Sequence, residues 1–137
     1  MIAADAPMTK VHTNPDGSTA DVPVSTIISK DVTIGPEVRF GRGVFLGEGV
    51  VLRSGAFIRD EVTIECYSEV GRHVFIGTRA VIRRSVRLGD HVRVGSRSVI
   101  AAFVSLHEGF EVPSRMLVNR QPDHPLILTS TGIADID

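Results

Sequence analysis

The chain has 137 residues, 42% of them hydrophobic, 5% aromatic and 23% charged, with a formal net charge of −1. This length and balance fit one small domain and exclude the strongly basic, aromatic-laced surface that nucleic acid requires. No apolar run is long enough to span a membrane, and no basic segment leads into an apolar stretch at the start, so the expectation is a cytoplasmic protein with no membrane partner.

In chain order, residues 1–21 read as a cap. Asn14-Pro15-Asp16-Gly17 is a strong turn signal between Val11-His12-Thr13 and Ser18-Thr19-Ala20, which predicts a short hairpin closing the first end of the body. Residues 22–120 form that body. From Ile28 to Val118 every sixth residue is Ile, Leu, Val or Phe, sixteen positions without a miss, and a fixed period of this kind defines an architecture. Four residues after each stands a small or aliphatic one, from Val32 to Val104, with only Phe110 and Met116 bulky there. Positions two apart on an extended chain share a face, so each unit is a short strand with inward side chains, followed by a corner. Three units make a triangular turn of eighteen residues. Five to six such coils stack at about 4.8 Å into three parallel sheets.

The corners carry Gly35, Gly41, Gly47, Gly71, Gly77, Gly89 and Gly95 directly after the inward residue, where close approach and unusual dihedrals are expected. Two residues further on stand Gly43, Gly49, Gly55 and Gly109, with Asp31, His73 and His91 in equivalent places. That suits a turn residue with positive φ, a rule that Arg79, Arg97 and Phe103 fit poorly. The one cysteine, Cys66, also falls at a corner and gives no disulfide framework or metal cluster. Residues 121–137, with Pro122, Pro125 and the strand-like Leu126-Ile127-Leu128-Thr129, leave the repeat and read as a tail that packs on a neighbour.

IGPEVR from Ile34, IGTRAV from Ile76 and LGDHVR from Leu88 each run aliphatic residue, glycine, two variable residues, small aliphatic residue, variable residue. In this pattern the chain resembles the hexapeptide-repeat proteins over about residues 22 to 120, and EVPSRMLVNRQP from Glu111 resembles their last coil and exit. The resemblance implies an all-β fold, a single-stranded left-handed parallel β-helix with an N-terminal cap and a C-terminal extension. Handedness comes from the resemblance alone, because the general crossover rule favours the right-handed form. The resemblance also implies an acyltransferase-like protein, usually a trimer. Such a protein takes acyl-CoA as cosubstrate, holds no cofactor tightly, and acylates a small amine or hydroxyl.

Residues eighteen apart lie above one another on adjacent coils. Phe45, Thr63, Val81, Val99 and Leu117 form an apolar outward column, read as a self-association surface and, under the resemblance, that of a homotrimer. Coverage by the tail of the same subunit is the alternative. Phe57 and Phe75 make a smaller patch on another side. Arginine outnumbers lysine thirteen to two, and Arg79, Arg97 and Arg115 align at one corner. Their guanidinium forks suit phosphates, which the resemblance identifies with those of coenzyme A; the competing reading pairs the arginines with Glu61, Glu65, Asp90, Glu108 and Glu111.

Many acyltransferases of this kind use a histidine as general base. The candidates are His73 and His91, eighteen apart at one corner, and His107, which follows Leu106 and stands beside Glu108. Histidine is also tolerated in positive-φ turns, which is the structural alternative for the pair. The His-Asp dipeptide common in sugar acyltransferases of this fold is absent. Carbonic-anhydrase-like members hold zinc with three histidines, two of them five residues apart. Here Ala102 stands where His107 would need its partner, and Gly89 and Gly71 lie beneath it, so no metal site is expected. The six-residue register also leaves no room for a substrate-covering corner loop. Two classes remain: a compact acyltransferase with its site between subunits, and a non-catalytic trimeric binding or scaffold module.

Overall fold

The computed structural model describes residues 9–119 and the backbone strands Leu126–Thr129 and Gly132–Asp135. Within them the repeat forms a solenoid of two-residue strands in three parallel sheets, with no helix among the described residues. Sheet I contains Ile27–Ile28, Phe45–Leu46, Thr63–Ile64, Val81–Ile82, Val99–Ile100 and Leu117–Val118. Sheet II runs from Thr33–Ile34 to Ser105–Leu106 and sheet III from Arg39–Phe40 to Glu111–Val112, each with five strands. Every pairing joins residues eighteen apart, such as Phe75 with Phe57 and with Arg93. Each coil donates to the next through bonds such as Thr33 N to Val50 O at 2.9 Å and Gly35 N to Leu52 O at 2.8 Å.

The period-six residues fill the axis. Ile58, Ile64, Val70, Ile76, Ile82, Val94 and Ile100 are fully buried, and Ala56, Val62, Val74, Ala80, Val86 and Val92 pack between them. Ile28 and Phe40 are only half-buried, because the first coil has no coil beneath it. Ser68 and Ser98 occupy two of the inward sites and are fully buried. Ser68 Oγ donates to Arg83 O at 2.6 Å and accepts from Val86 N at 3.1 Å. Ser98 Oγ does the same with Pro113 O and Met116 N. Each hydroxyl thus stands in for a turn bond and ties two coils together.

The corners separate two demands that the sequence reading merged. Positive φ recurs at every sixth residue from Asp31 to Arg115, at eleven non-glycine residues and at Gly43, Gly49, Gly55 and Gly109. Arg79, Arg97 and Phe103, which fit the local rule poorly, adopt it all the same, with φ of 62°, 61° and 68°. Coil closure therefore overrides a local cost of about 1–2 kcal/mol per residue. The glycines directly after the inward residue are not in this region, so the unusual dihedrals expected of them are not found. They permit close approach only: a Cβ on Gly71 would lie 2.7 Å from the Gly89 carbonyl carbon and 2.8 Å from Asp90 N.

Thr9–Thr13 and Thr19–Pro23 pair antiparallel around the Asn14–Gly17 turn. This hairpin closes the lower edge of sheet II with side chains. The Asn14 amide donates to Ile34 O at 2.9 Å and accepts from Ile34 N at 2.8 Å, and His12 Nε2 lies 2.8 Å from Val32 O. Backbone groups that a further coil would satisfy thus find partners, and an open sheet edge is capped. Leu126–Thr129 and Gly132–Asp135 pair antiparallel, and the second of these strands lies beside Leu117–Val118 at the far end of sheet I. Whether side chains of 121–137 cover the apolar column or reach a neighbour falls outside the described residues.

Candidate functional site

Sheet III brings the candidate residues to one face. Its outward side chains are Arg39, Phe57, Phe75, Arg93 and Glu111, in register on successive coils. Phe57 and Phe75 meet edge to face, centroids 5.8 Å apart. Arg59 lies 5.5 Å over the Phe57 ring and Arg93 5.1 Å over the Phe75 ring. The centre of the face is therefore aromatic and cationic at once, a surface suited to planar or anionic groups.

His73 and His91 edge this face at the corner between sheets II and III. Both sit in the left-handed region, with φ of 55° and 62°, and their rings stack with centroids 5.4 Å apart and planes 17° apart. Both are exposed. Gly55 below leaves the space the His73 ring fills, since a Cβ there would approach its Cε1 to 2.6 Å. A depression of about 260 Å³ beside the ring is lined by Glu37, Arg39, Gly55, Phe57 and His73. His107 lies at the same corner. Its Nδ1 is 3.0 Å from the Glu108 carbonyl oxygen and its ring meets Phe110 edge-on at 5.2 Å. The carboxylate of Glu108 is not its partner, so the orienting pair suggested by adjacency in sequence does not form.

Arg79, Arg97 and Arg115 line the opposite edge, at the corner between sheets III and I. Arg79 Nε donates to Glu61 Oε1 at 2.6 Å, one coil below. Among the described residues no carboxylate pairs with Arg97 or Arg115. The expected self-pairing thus holds for part of the set: Arg83 meets Glu65 at 3.0 Å, whereas Asp90 accepts from the Arg72 backbone N–H at 2.8 Å instead. Thr78, Ser96 and Ser114 run alongside the arginines, with Ser114 Oγ accepting from Ser96 N at 3.1 Å. A shallow depression of about 430 Å³ there is lined by Phe75, Arg93, Ser96, Glu111 and Ser114 among others.

The sequence reading found these residues but not their common face. The signal was available, because reading positions modulo eighteen places Phe57 and Phe75 between the histidine and arginine columns. It also missed Ile27, which stands one coil below Phe45 in the apolar column. Ile27, Phe45 and Leu117 are 62%, 37% and 47% exposed, with Thr63, Val81 and Val99 half-buried between them. Cys66 is a free, half-buried thiol at the corner between sheets I and II. Among the described residues no group of three or more His, Cys, Asp or Glu side chains is arranged to hold a metal ion.

Residues 67–102 match the bacterial transferase hexapeptide (six repeats) family model. No curated protein matches the chain. Among solved structures it is similar to a hexapeptide transferase family protein from Anaplasma phagocytophilum, with 20% identity, coverage of 87% of this chain and 72% of that one, and a TM-score of 0.48. It is also similar to a mutant GDP-perosamine N-acetyl transferase from Caulobacter crescentus in complex with CoA and GDP-perosamine, at 18% identity and a TM-score of 0.36. The match covers 70% of this chain but only half the length of that protein. A hexapeptide-repeat acetyltransferase from Vibrio cholerae complexed with acetyl coenzyme A is similar at 18% identity over 68% of this chain and 64% of its own, with a TM-score of 0.36. The repeat matched over residues 67–102 continues in the same six-residue register on both sides, from Ile28 to Val118.

Proposed function

We propose that this protein is an acyltransferase that takes acyl-CoA along the sheet III face, in a groove completed by a neighbouring subunit of a homotrimer. One observation carries the reading: the face is bounded by imidazoles on one edge and by arginines on the other, with Phe57 and Phe75 between. Arg97 and Arg115, beside Ser96 and Ser114, would hold phosphate oxygens, with Arg79 contributing once released from Glu61. The phenylalanines offer apolar area to the pantetheine arm. At the histidine edge, His73 or His91 would accept the proton of an acceptor amine or hydroxyl as it attacks the thioester carbonyl. The tetrahedral intermediate then collapses, and the CoA thiolate leaves and takes up that proton. His107 is the third candidate base at this corner. The column from Ile27 to Leu117 would form the subunit contact through Phe45, Val81, Val99 and Leu117.

Titration with CoA and with acetyl-CoA, alongside release of free thiol in the presence of small amines, tests the reading. Arg97→Ala is expected to weaken CoA binding by about tenfold, the loss of one charge-assisted contact. His73→Asn and His91→Asn should leave CoA affinity intact while one of them abolishes turnover. Absence of CoA binding overturns the proposal. A second reading, a non-catalytic trimeric binding module, is favoured by the corner register, which leaves no substrate-covering loop between Ile28 and Val118. CoA binding with no thioester cleavage on any acceptor would select it.

A further inference from the structure

Sheet II carries a second surface that the proposed reaction does not use. A shallow groove of about 580 Å³ runs along it, walled by the corner residues Tyr67, Ser85 and Phe103 and floored by Glu69 and Arg87 among others. Tyr67 and Phe103 are 58% and 66% exposed, although both occupy the left-handed region, with φ of 61° and 68°. Coil closure sets that conformation at every sixth residue, and at these two positions it presents the rings to solvent rather than burying them. The Tyr67 ring lies over Gly49, so close that a Cβ there would meet its Cε1 at 2.8 Å, and Arg84 sits 5.4 Å from the Phe103 ring. Both rings thus lean against the coil below. Ser85 leaves a notch between them.

We propose that this groove docks an extended proline-rich peptide with prolines three residues apart and a carboxylate between them. The two aromatic residues are two coils apart, about 9.6 Å at the inter-strand spacing of a sheet. A polyproline II helix repeats every three residues, or about 9.3 Å, so successive prolines on one ridge meet successive rings. The charge follows from the floor. Glu69 faces two guanidiniums, Arg53 at 3.2 Å and Arg87 at 3.8 Å; at the rim Arg84 adds a cation and Glu48, beside the Tyr67 phenol, an anion, so a positive surplus remains. A carboxylate between the prolines matches it.

The chain itself contains such a stretch, Pro122-Asp123-His124-Pro125, and it supplies the probe. The titrant is a synthetic peptide with the sequence of residues 120–126. The protein is the full chain carrying Pro122→Ala and Pro125→Ala, so that its own copy does not compete. Tyr67 is the only tyrosine and there is no tryptophan, so intrinsic fluorescence reports on the groove directly. The expected result is a saturable change in emission. It should weaken by about tenfold or more when Phe103→Gly is added, and likewise with a peptide whose prolines are replaced by alanine. Phe103→Gly suits the left-handed position, so it preserves the fold while removing one ring. No saturable change up to about 5 mM peptide, or equal binding by the alanine peptide or by the Phe103→Gly protein, overturns the proposal.

Discussion

Ser98 and Thr26 occupy the same inward column of the solenoid, four coils apart, and substituting each should move stability in opposite directions. The Ser98 hydroxyl is fully buried, donates to Pro113 O at 2.5 Å and accepts from Met116 N at 3.2 Å. Ser98→Ala deletes both bonds and leaves a backbone N–H without its partner, a loss of about 2–3 kcal/mol. Thr26 is 1% exposed, and its Oγ1 has no hydrogen-bond partner. Thr26→Val keeps the shape and removes an unsatisfied hydroxyl, a gain of about 1–2 kcal/mol. Urea unfolding at one fixed protein concentration reads the difference. With a slope of about 2 kcal/mol per molar urea, the two midpoints should lie about 1.5–2.5 M apart, on either side of the parent. Holding concentration constant matters because any subunit association stabilises the folded form. A fall in midpoint for Thr26→Val comparable to that for Ser98→Ala would refute the claim that this hydroxyl is unsatisfied.

Two further tests address the corners. Gly71→Ala drives a Cβ into the backbone of Gly89 and Asp90 and should cost about 3 kcal/mol in thermal unfolding, whereas Gly43→Ala, with only Glu61 Cγ at 3.5 Å, should cost about 1 kcal/mol from its φ of 69°. Equal costs would remove the distinction between the two glycine positions. The Tyr67 phenol lies beside Glu48, whose negative charge raises its pKa above the ordinary tyrosine value by disfavouring the phenolate. As the chain has a single tyrosine, ultraviolet titration follows this group alone. Glu48→Gln should lower its midpoint, and an unchanged midpoint would contradict the assigned cause.

The axis of the solenoid was legible because one residue class repeats at a fixed interval, and burial of the period-six residues from Leu46 to Val118 depends on little else. Corner conformation was less legible. Gly43 and Gly49 announce positive φ, but Arg79, Arg97 and Phe103 accept it only because the closed coil leaves no alternative, and nothing local in the sequence encodes that. The spacing of His73 and His91 foretold that they meet at one corner on successive coils, but not that their rings stack. The surroundings of His107 did not follow from its neighbour, because at a corner the Glu108 carbonyl turns toward the imidazole while the side chain does not pair with it. The Asn14-Gly17 turn could be read, yet the Asn14 amide pairing with the Ile34 backbone could not, since it joins segments twenty residues apart through a side chain. The common face of sheet III lay in the sequence as simple arithmetic, and it emerges only when outward positions are sorted by side.

The unbroken eighteen-residue register makes the solenoid a screw with interchangeable threads. Excising eighteen contiguous residues from its middle would rejoin each sheet to itself and shorten the column by one thread, leaving every remaining side chain on its original facet. Excising six would rotate the whole downstream portion by a third of a revolution, so that the histidine and arginine edges, the aromatic centre and the apolar seam would no longer belong to the same facets. Length is therefore a freely adjustable quantity in this fold, and angular phase is not.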